Sequence, residues 1–193
     1  MSYTLTIALK STDCKHLEKF CDFIEYSKNN IKFINKQLNE KHYQQCRLEV
    51  CSRHLWETLN KLGVVPNKSL ILEFPNESIF KDILLLKHFI RGYFDGDGCL
   101  SFYKRKYDIV PHCSYVGSEN FIKNSTNYLP CNYTFRVRNY PNHNKLYEIS
   151  VNIENSKILL GWLYNTASIY LDRKYNRYKL FKQHNFEIPY TEH

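Results

Sequence analysis

The run Leu84-Leu85-Leu86-Lys87-His88-Phe89-Ile90-Arg91-Gly92-Tyr93-Phe94-Asp95-Gly96-Asp97-Gly98-Cys99-Leu100 decides how this chain is read. Ile79, Phe80 and Ile83 precede it, so the apolar pattern predicts a helix from about Ser78 to Phe94. Its apolar residues Ile83, Leu84, Leu85, Leu86, Phe89, Ile90, Tyr93 and Phe94 cover nearly every face, which predicts burial all round. Gly92 and Gly96 share one face, and each costs about 1 kcal/mol against alanine. A helix carries such a pair where another backbone packs closely, as in small-xxx-small contacts. Asp95 and Asp97 stand at the glycine-rich stop, and a strand-like run follows.

Two ordinary readings of Asp95-Gly96-Asp97-Gly98 compete. Asp and Gly tolerate turn geometry, so alone the tetrapeptide reads as a surface turn. A calcium loop starting at Asp95 fails at its twelfth position, Lys106, where a bidentate glutamate is required. The long apolar run upstream, joined to the glycine pair, is something a turn does not need.

Ile90 to Gly98, I-R-G-Y-F-D-G-D-G, resembles the signature nonapeptide of the LAGLIDADG (dodecapeptide, DOD-type) homing endonucleases. It departs from the eponymous string at five places but keeps the first glycine, both acids and the last glycine. The lead-in Leu86-Lys87-His88-Phe89 is similar to that of intein-type and freestanding members.

Composition agrees with a globular, anion-binding protein. The chain has 193 residues, 43% hydrophobic and 16% aromatic, enough for one large domain or two small ones. A net charge of +8 and a pI near 9.0 favour a polyanionic partner. No apolar run reaches the eighteen or so residues of a membrane span, and the start M-S-Y-T-L-T-I has no signal-peptide pattern. Seven cysteines without a C-x-x-C read as reduced core thiols of a cytoplasmic protein, not as a disulfide frame or zinc site.

Along the chain, Tyr3 to Lys10 alternates as a half-buried strand. Ser11-Thr12-Asp13 caps a helix from Cys14 to Ile24. Ile31–Gln37 and Tyr43–Ser52 form a hairpin, and Ser52 caps a helix, Leu55–Leu62, that Gly63 stops. After the acid-bearing helix the pattern returns. Strand-like runs occupy Cys99–Tyr107 and Ile109–Val116, and a helix spans about Glu119–Leu129. A hairpin of Thr134–Tyr140 and Leu146–Ile153 follows, then a helix capped by Asn155 and a last helix over Asp172–His184.

The halves read as an internal repeat. Thr12-Asp13 aligns with Ser118-Glu119 at an offset of 106, Val50 with Val151 at 101 and Leu55 with Ile158 at 103. These offsets place a first acidic motif just ahead of Met1. The expected organisation is a half-repeat without its motif helix over 1–75, a full repeat over 76–185 with its motif helix at 79–98, and a tail over 186–193. The fold class is α+β, a homing endonuclease-like saddle built as a pseudo-repeat of αββαββα units with antiparallel sheets.

The resemblance implies the rest. In that family two units form a saddle whose sheets straddle double-stranded DNA, while two motif helices pack through their glycines and each delivers one acid to the scissile phosphates. Phosphodiester hydrolysis of this kind uses a divalent metal, and Mg2+ prefers carboxylate and water to an all-protein cage. Carried over by position, Asp97 is the catalytic metal ligand and the Gly96 carbonyl its helper. Gly92, Asp95 and Gly98 are structural, with Asp95 expected to bond backbone at the helix junction. Tyr170-Leu171-Asp172-Arg173-Lys174-Tyr175 resembles the segment closing the second repeat of intein-type members, which makes Lys174 the candidate basic residue near the metal-bound water. A solvated lysine on the last helix is the competing reading.

Outward strand residues are the expected DNA contacts. Arg136 and Arg138 alternate with Phe135 and Val137, Arg105 shares a face with Tyr103 and Tyr107, and Lys32, Lys36 and Arg47 supply a weaker half-site. Arginine reads guanine bidentately and lysine mainly neutralises phosphate. The reading is thus a DNA endonuclease, freestanding or derived from an intein, although no splicing motifs are present. With one acid helix in sequence, the chain is a late-started gene product, a degenerate relic, or one of two chains pairing through the Gly92–Gly96 face, the last being least favoured. The alternatives are a non-cleaving DNA- or RNA-binding protein on the same fold, such as a regulator or intron-splicing helper, and a protein-interaction relic.

Overall fold

The computed structural model describes residues 3–38, 40–66, 71–104, 109–139 and 145–183. They cluster into two compact units, Met1–Lys61 with Leu171–Arg173 and Leu62–Tyr170 with Lys174–His193.

In the first unit, β1 (Thr4–Lys10), β2 (Lys32–Leu38) and β3 (Lys41–Cys51) form an antiparallel sheet in the order β1-β3-β2. Strict alternation puts Leu5, Ile7 and Leu9 opposite Val50, Leu48 and Cys46 on one face. There they meet Leu17, Cys21, Phe20 and Ile24 of the segment around α1 (Cys14–Phe23). The helix closes with Glu25 at φ 54°, where Tyr26 N–H reaches the Cys21 carbonyl at 2.9 Å, a Schellman stop built without glycine. Ser52 caps α2 (Arg53–Lys61) through Leu55 N–H at 3.2 Å, two residues before the expected start, and Gly63 at φ 86° follows.

The second unit runs α3 (Leu85–Asp97), β4 (Gly98–Lys104), β5 (Ile109–Gly117), α4 (Glu119–Ser125), β6 (Thr134–Arg138), β7 (Leu146–Val151), α5 (Ile153–Tyr164) and α6 (Asp172–Gln183). Residues Asp172 and Arg173 of α6 group with the first unit. The sheet order is β4-β5-β7-β6, antiparallel throughout. Leu100, Cys113, Tyr115, Ile149 and Val151 form its inner face against α3, α4 and α5. This is the expected α+β class with an αββαββα unit. Pairing repeats between the sheets: Leu5↔Val50 in one is matched by Cys113↔Val151 in the other.

Several boundaries differ from expectation, each for a local reason. The acid-bearing helix does not begin at Ser78. Asn76 caps a short 3-10 turn, Glu77–Ile79, and the Asp82 carboxylate then accepts Leu84 N–H at 2.9 Å, so the helix starts afresh at Leu85. Nor is it buried all round. Leu86, Ile90 and Phe94 form a buried stripe, whereas Ile83, Leu84 and Leu85 are exposed. The cap of α5 is Asn152, whose side chain accepts Asn155 N–H at 3.0 Å, rather than Asn155 itself. The helix after Ser118 gives way to a 3-10 turn at Thr126. Arg105, Lys106, Tyr107 and His184 lie outside the described residues.

The glycines divide sharply. A Cβ on Gly98 would stand 2.5 Å from the Phe94 carbonyl, and one on Gly117 would stand 2.6 Å from the Tyr93 hydroxyl. Around Gly92 and Gly96, among the described residues of their unit, nothing lies within 4 Å of such a carbon. No backbone of that unit's described residues packs against the pair. Opposite stability changes are expected in chemical denaturation. Gly98→Ala lowers stability by about 1–3 kcal/mol through overpacking, and Gly92→Ala raises it by about 1 kcal/mol as a helix-propensity gain.

Candidate functional site

The last turn of α3 is held from beneath by buried polar groups. Asp95 is 4% exposed, and the buried Tyr164 hydroxyl of α5 donates to its carboxylate at 2.5 Å. Burial first, then the Asp95 charge, pushes the Tyr164 hydroxyl well above its ordinary value, so it stays a donor. Lys174 of α6 is 2% exposed. Its ammonium donates to the carbonyls of Asp95, at 2.9 Å, Phe94 and Gly98, and lies over the Phe94 ring at 4.9 Å. One turn further along α6, Arg177 donates to the Leu100 carbonyl at 2.6 Å. Cations at a helix C-terminus match its partial negative charge, and here three donors are taken by carbonyls. Lys174 is therefore not a solvated surface lysine.

Asp97 and Gly96 are exposed at the tip of this turn. Segment 94–98 is thus pinned through the carbonyls of Phe94, Asp95 and Gly98 and the carboxylate of Asp95, while the Asp97 side chain projects outward. Among the described residues no group of three or more His, Cys, Asp and Glu side chains could hold a metal. Asp97 and the Gly96 carbonyl fit an ion bound mostly by water and substrate oxygens, the habit of Mg2+. On the other side of α3, Arg91 is 7% exposed and donates to the Ile169 carbonyl at 2.9 Å. It also meets His88 Nδ1 at 2.5 Å.

Each sheet has an open face. In the second unit, register places Ser101, His112, Ser114, Ser150, Glu148, Thr134, Arg136 and Arg138 opposite the core side. Arg136 and Arg138 share this face, as their alternation requires, and both are exposed. Arg138 forms a bidentate bridge to Glu148 at 2.7 and 2.6 Å, and His112 Nε2 meets Ser150 Oγ at 2.9 Å. In the first unit, Lys32 and Lys36 are exposed on the open face with Lys10, which lies across Gln45 from Ile34, the residue midway between the two lysines. Arg47 is half-buried and pairs with Glu49.

No protein-family profile and no curated protein matches this sequence. Solved structures do match in shape. The LAGLIDADG homing endonuclease I-GzeII, in complex with its DNA target, superposes with a TM-score of 0.59 at 14% identity, over 93% of this chain and 78% of that one. I-SmaMI bound to cleaved DNA gives 0.51 at 12% identity, over 93% and 77%. The same enzyme on uncleaved DNA with calcium ions gives 0.50 at 13% identity, over 94% and 81%. The chain carries the LAGLIDADG homing endonuclease fold.

On this fold, sequence reasoning missed Tyr164, Arg177, Glu148 and the His112–Ser150 pair. Tyr164 looked like one more apolar position of α5, and nothing local marks it as the partner of Asp95. Lys10 carried a signal, since it closes the polar side of the first strand.

Two outcomes follow from these buried groups. Lys174→Met leaves three helix-end carbonyls without their donor, and an unfolding loss of about 3 kcal/mol is expected by denaturant titration. Burial, then the charges of Arg91 and Lys87, holds His88 below its ordinary 6.5. The unfolded chain then binds the proton more readily, so stability is full above about 6.5 and falls as pH drops below it. Melting curves between pH 5 and 8 check this against His88→Asn, whose amide oxygen keeps the acceptor and whose curve lacks that part of the loss.

Proposed function

We propose that this protein is a DNA endonuclease that hydrolyses phosphodiester bonds within a long double-stranded site, with Mg2+ as its metal. The observation that carries this reading is the exposed Asp97 carboxylate, set on a helix end immobilised by Lys174 and Tyr164, in a fold whose solved examples hold DNA. Asp97 and the Gly96 carbonyl hold the metal, which when bound activates water and stabilises charge on the leaving oxygen. Asp95 is structural, its carboxylate facing Tyr164. Lys174 is read as a positioning residue, because its donors engage the carbonyls around the acid turn.

The open sheet faces bind the duplex. Lys10, Lys32 and Lys36 supply phosphate neutralisation from the first unit, and Arg136 and Arg138 face DNA from the second. The two sheets are read as copies of one repeated unit, supported by their matched pairings. No described helix is long and apolar enough to cross a membrane.

A second reading, a non-cleaving DNA- or RNA-binding protein on the same fold, is supported by the net charge of +8 and the exposed Lys32, Lys36, Arg136 and Arg138 of the open sheet faces, which need no metal. The test is nicking of supercoiled plasmid carrying a site enriched from randomised duplexes, with Mg2+, by wild type and Asp97→Asn. Loss of at least about a hundred-fold in nicking with duplex binding retained is expected, since even indirect ligand partners are worth 10–100-fold. Nicking that survives Asp97→Asn removes Asp97 from the site. A wild type that never nicks, yet shifts duplex DNA with a steep salt slope, selects the second reading.

A further inference from the structure

The open face of the β4-β5-β7-β6 sheet is polar, yet it contains one nearly inaccessible carboxylate. Glu148 is 3% exposed, and only its bridge to Arg138 faces outward, where the arginine is 48% exposed. A carboxylate on a surface meant for a polyanion is unfavourable unless it does something for a neighbour. The register shows what it does. Arg136 sits directly opposite Glu148, and Arg138 lies one step along the same face of the edge strand, opposite Leu146. Glu148 nevertheless binds Arg138, taking Nε and Nη2 with one oxygen each. Among the described residues no hydrogen bond or ion pair holds Arg136. Two arginines of like exposure are thus held very differently.

We propose that Glu148 is a positioning residue that fixes Arg138 as a base-reading arginine, whereas Arg136 serves the DNA backbone. The inference rests on the reading of this face as a DNA surface. A guanidinium clamped along its Nε–Nη2 side loses rotamer freedom before binding and keeps one plane. Reading guanine O6 and N7 uses two N–H groups in a fixed plane, through an edge that such a clamp does not occupy. A mobile arginine is suited to phosphate, where direction matters little and charge matters most. The bridge also lowers the anionic cost of Glu148 to DNA, so affinity and specificity come from one pair.

The experiment is enrichment from a randomised duplex library by the purified full chain and three variants, followed by sequencing and salt titration of binding. Wild type is expected to enrich a motif containing a guanine discriminated by about ten-fold or more, the worth of one good bidentate contact. Glu148→Gln and Arg138→Lys are each expected to flatten that position while leaving the rest of the motif intact. Arg138→Lys keeps the charge and guards against a folding defect in Glu148→Gln. Arg136→Gln is expected to leave the motif unchanged, weaken binding across all sequences and reduce the salt slope by about 1. Retention of the guanine in both Glu148→Gln and Arg138→Lys, with only their melting temperatures altered, overturns the proposal and makes the bridge structural. Loss of the guanine in Arg136→Gln instead also overturns it. A wild type that enriches no motif overturns the reading of the face as sequence-specific, and the proposal falls with it.

Discussion

A buried ammonium on backbone carbonyls is the constraint on which the acid-bearing turn depends. An ammonium taken out of water must be paired, and the usual partner is a carboxylate. Lys174 instead uses the carbonyls of Phe94, Asp95 and Gly98, where α3 ends and its dipole is negative. The nearby Asp95 carboxylate is satisfied by Tyr164. That division of partners has a consequence for Asp97. The cation holds the backbone around Asp97, and the acid stays exposed on a turn that cannot shift without breaking several hydrogen bonds at once.

The docking of α3 on its sheet explains two glycines, one at the end of the motif and one on β5. Gly98 is required because the chain leaves α3 directly into β4, and a side chain there would strike the Phe94 carbonyl that Lys174 also contacts. Gly117 is required because Tyr93 reaches across β5 to the Val116 carbonyl at 2.7 Å. Both positions sit where α3 docks on its sheet, so the packing of the helix and the pinning of its end are parts of one interface. The aromatic stack of Tyr93 on Phe121, with ring centroids 3.9 Å apart, extends that interface to α4.

Much of this was legible in the sequence because period and punctuation carry it. Alternation in Tyr3–Lys10 and Thr134–Arg138 gives strands and faces, Ser52 and Ser118 announce helices, and the nonapeptide points to the fold. What was not legible depends on contacts across long sequence separation. The expected start at Ser78 failed because the apolar pattern of Ile79, Phe80 and Ile83 continues through Asp82, and only the fold shows that the Asp82 side chain resets the helix there. The sequence singles out Lys174 as a basic residue near the metal-bound water, but nothing local marks the carbonyls it binds. A lysine among Arg173, Arg177 and Lys179 looks like ordinary surface charge until α6 is seen to turn that one residue toward Phe94. Glu148 on β7 and Arg138 on β6 meet through strand register, which no local pattern specifies.

The open face of α3 follows from how its polar and apolar residues are divided. Leu86, Ile90 and Phe94 bury one stripe, and the charges that share it, Arg91 and Asp95, are satisfied by Ile169, His88 and Tyr164. On the opposite side Gly92 and Gly96 meet nothing within 4 Å among the described residues of their unit. Each glycine lowers helix stability by about 1 kcal/mol against alanine, and neither relieves a clash inside the unit. Stability within the unit would therefore favour alanine at both positions. The chain instead presents a strip of bare backbone ending at the exposed acid. Backbone without Cβ atoms permits an approach close enough to reach a helix-end carbonyl. Gly92 and Gly96 thus leave the outer side of α3 without side chains as far as the acid turn, which Lys174 holds from below.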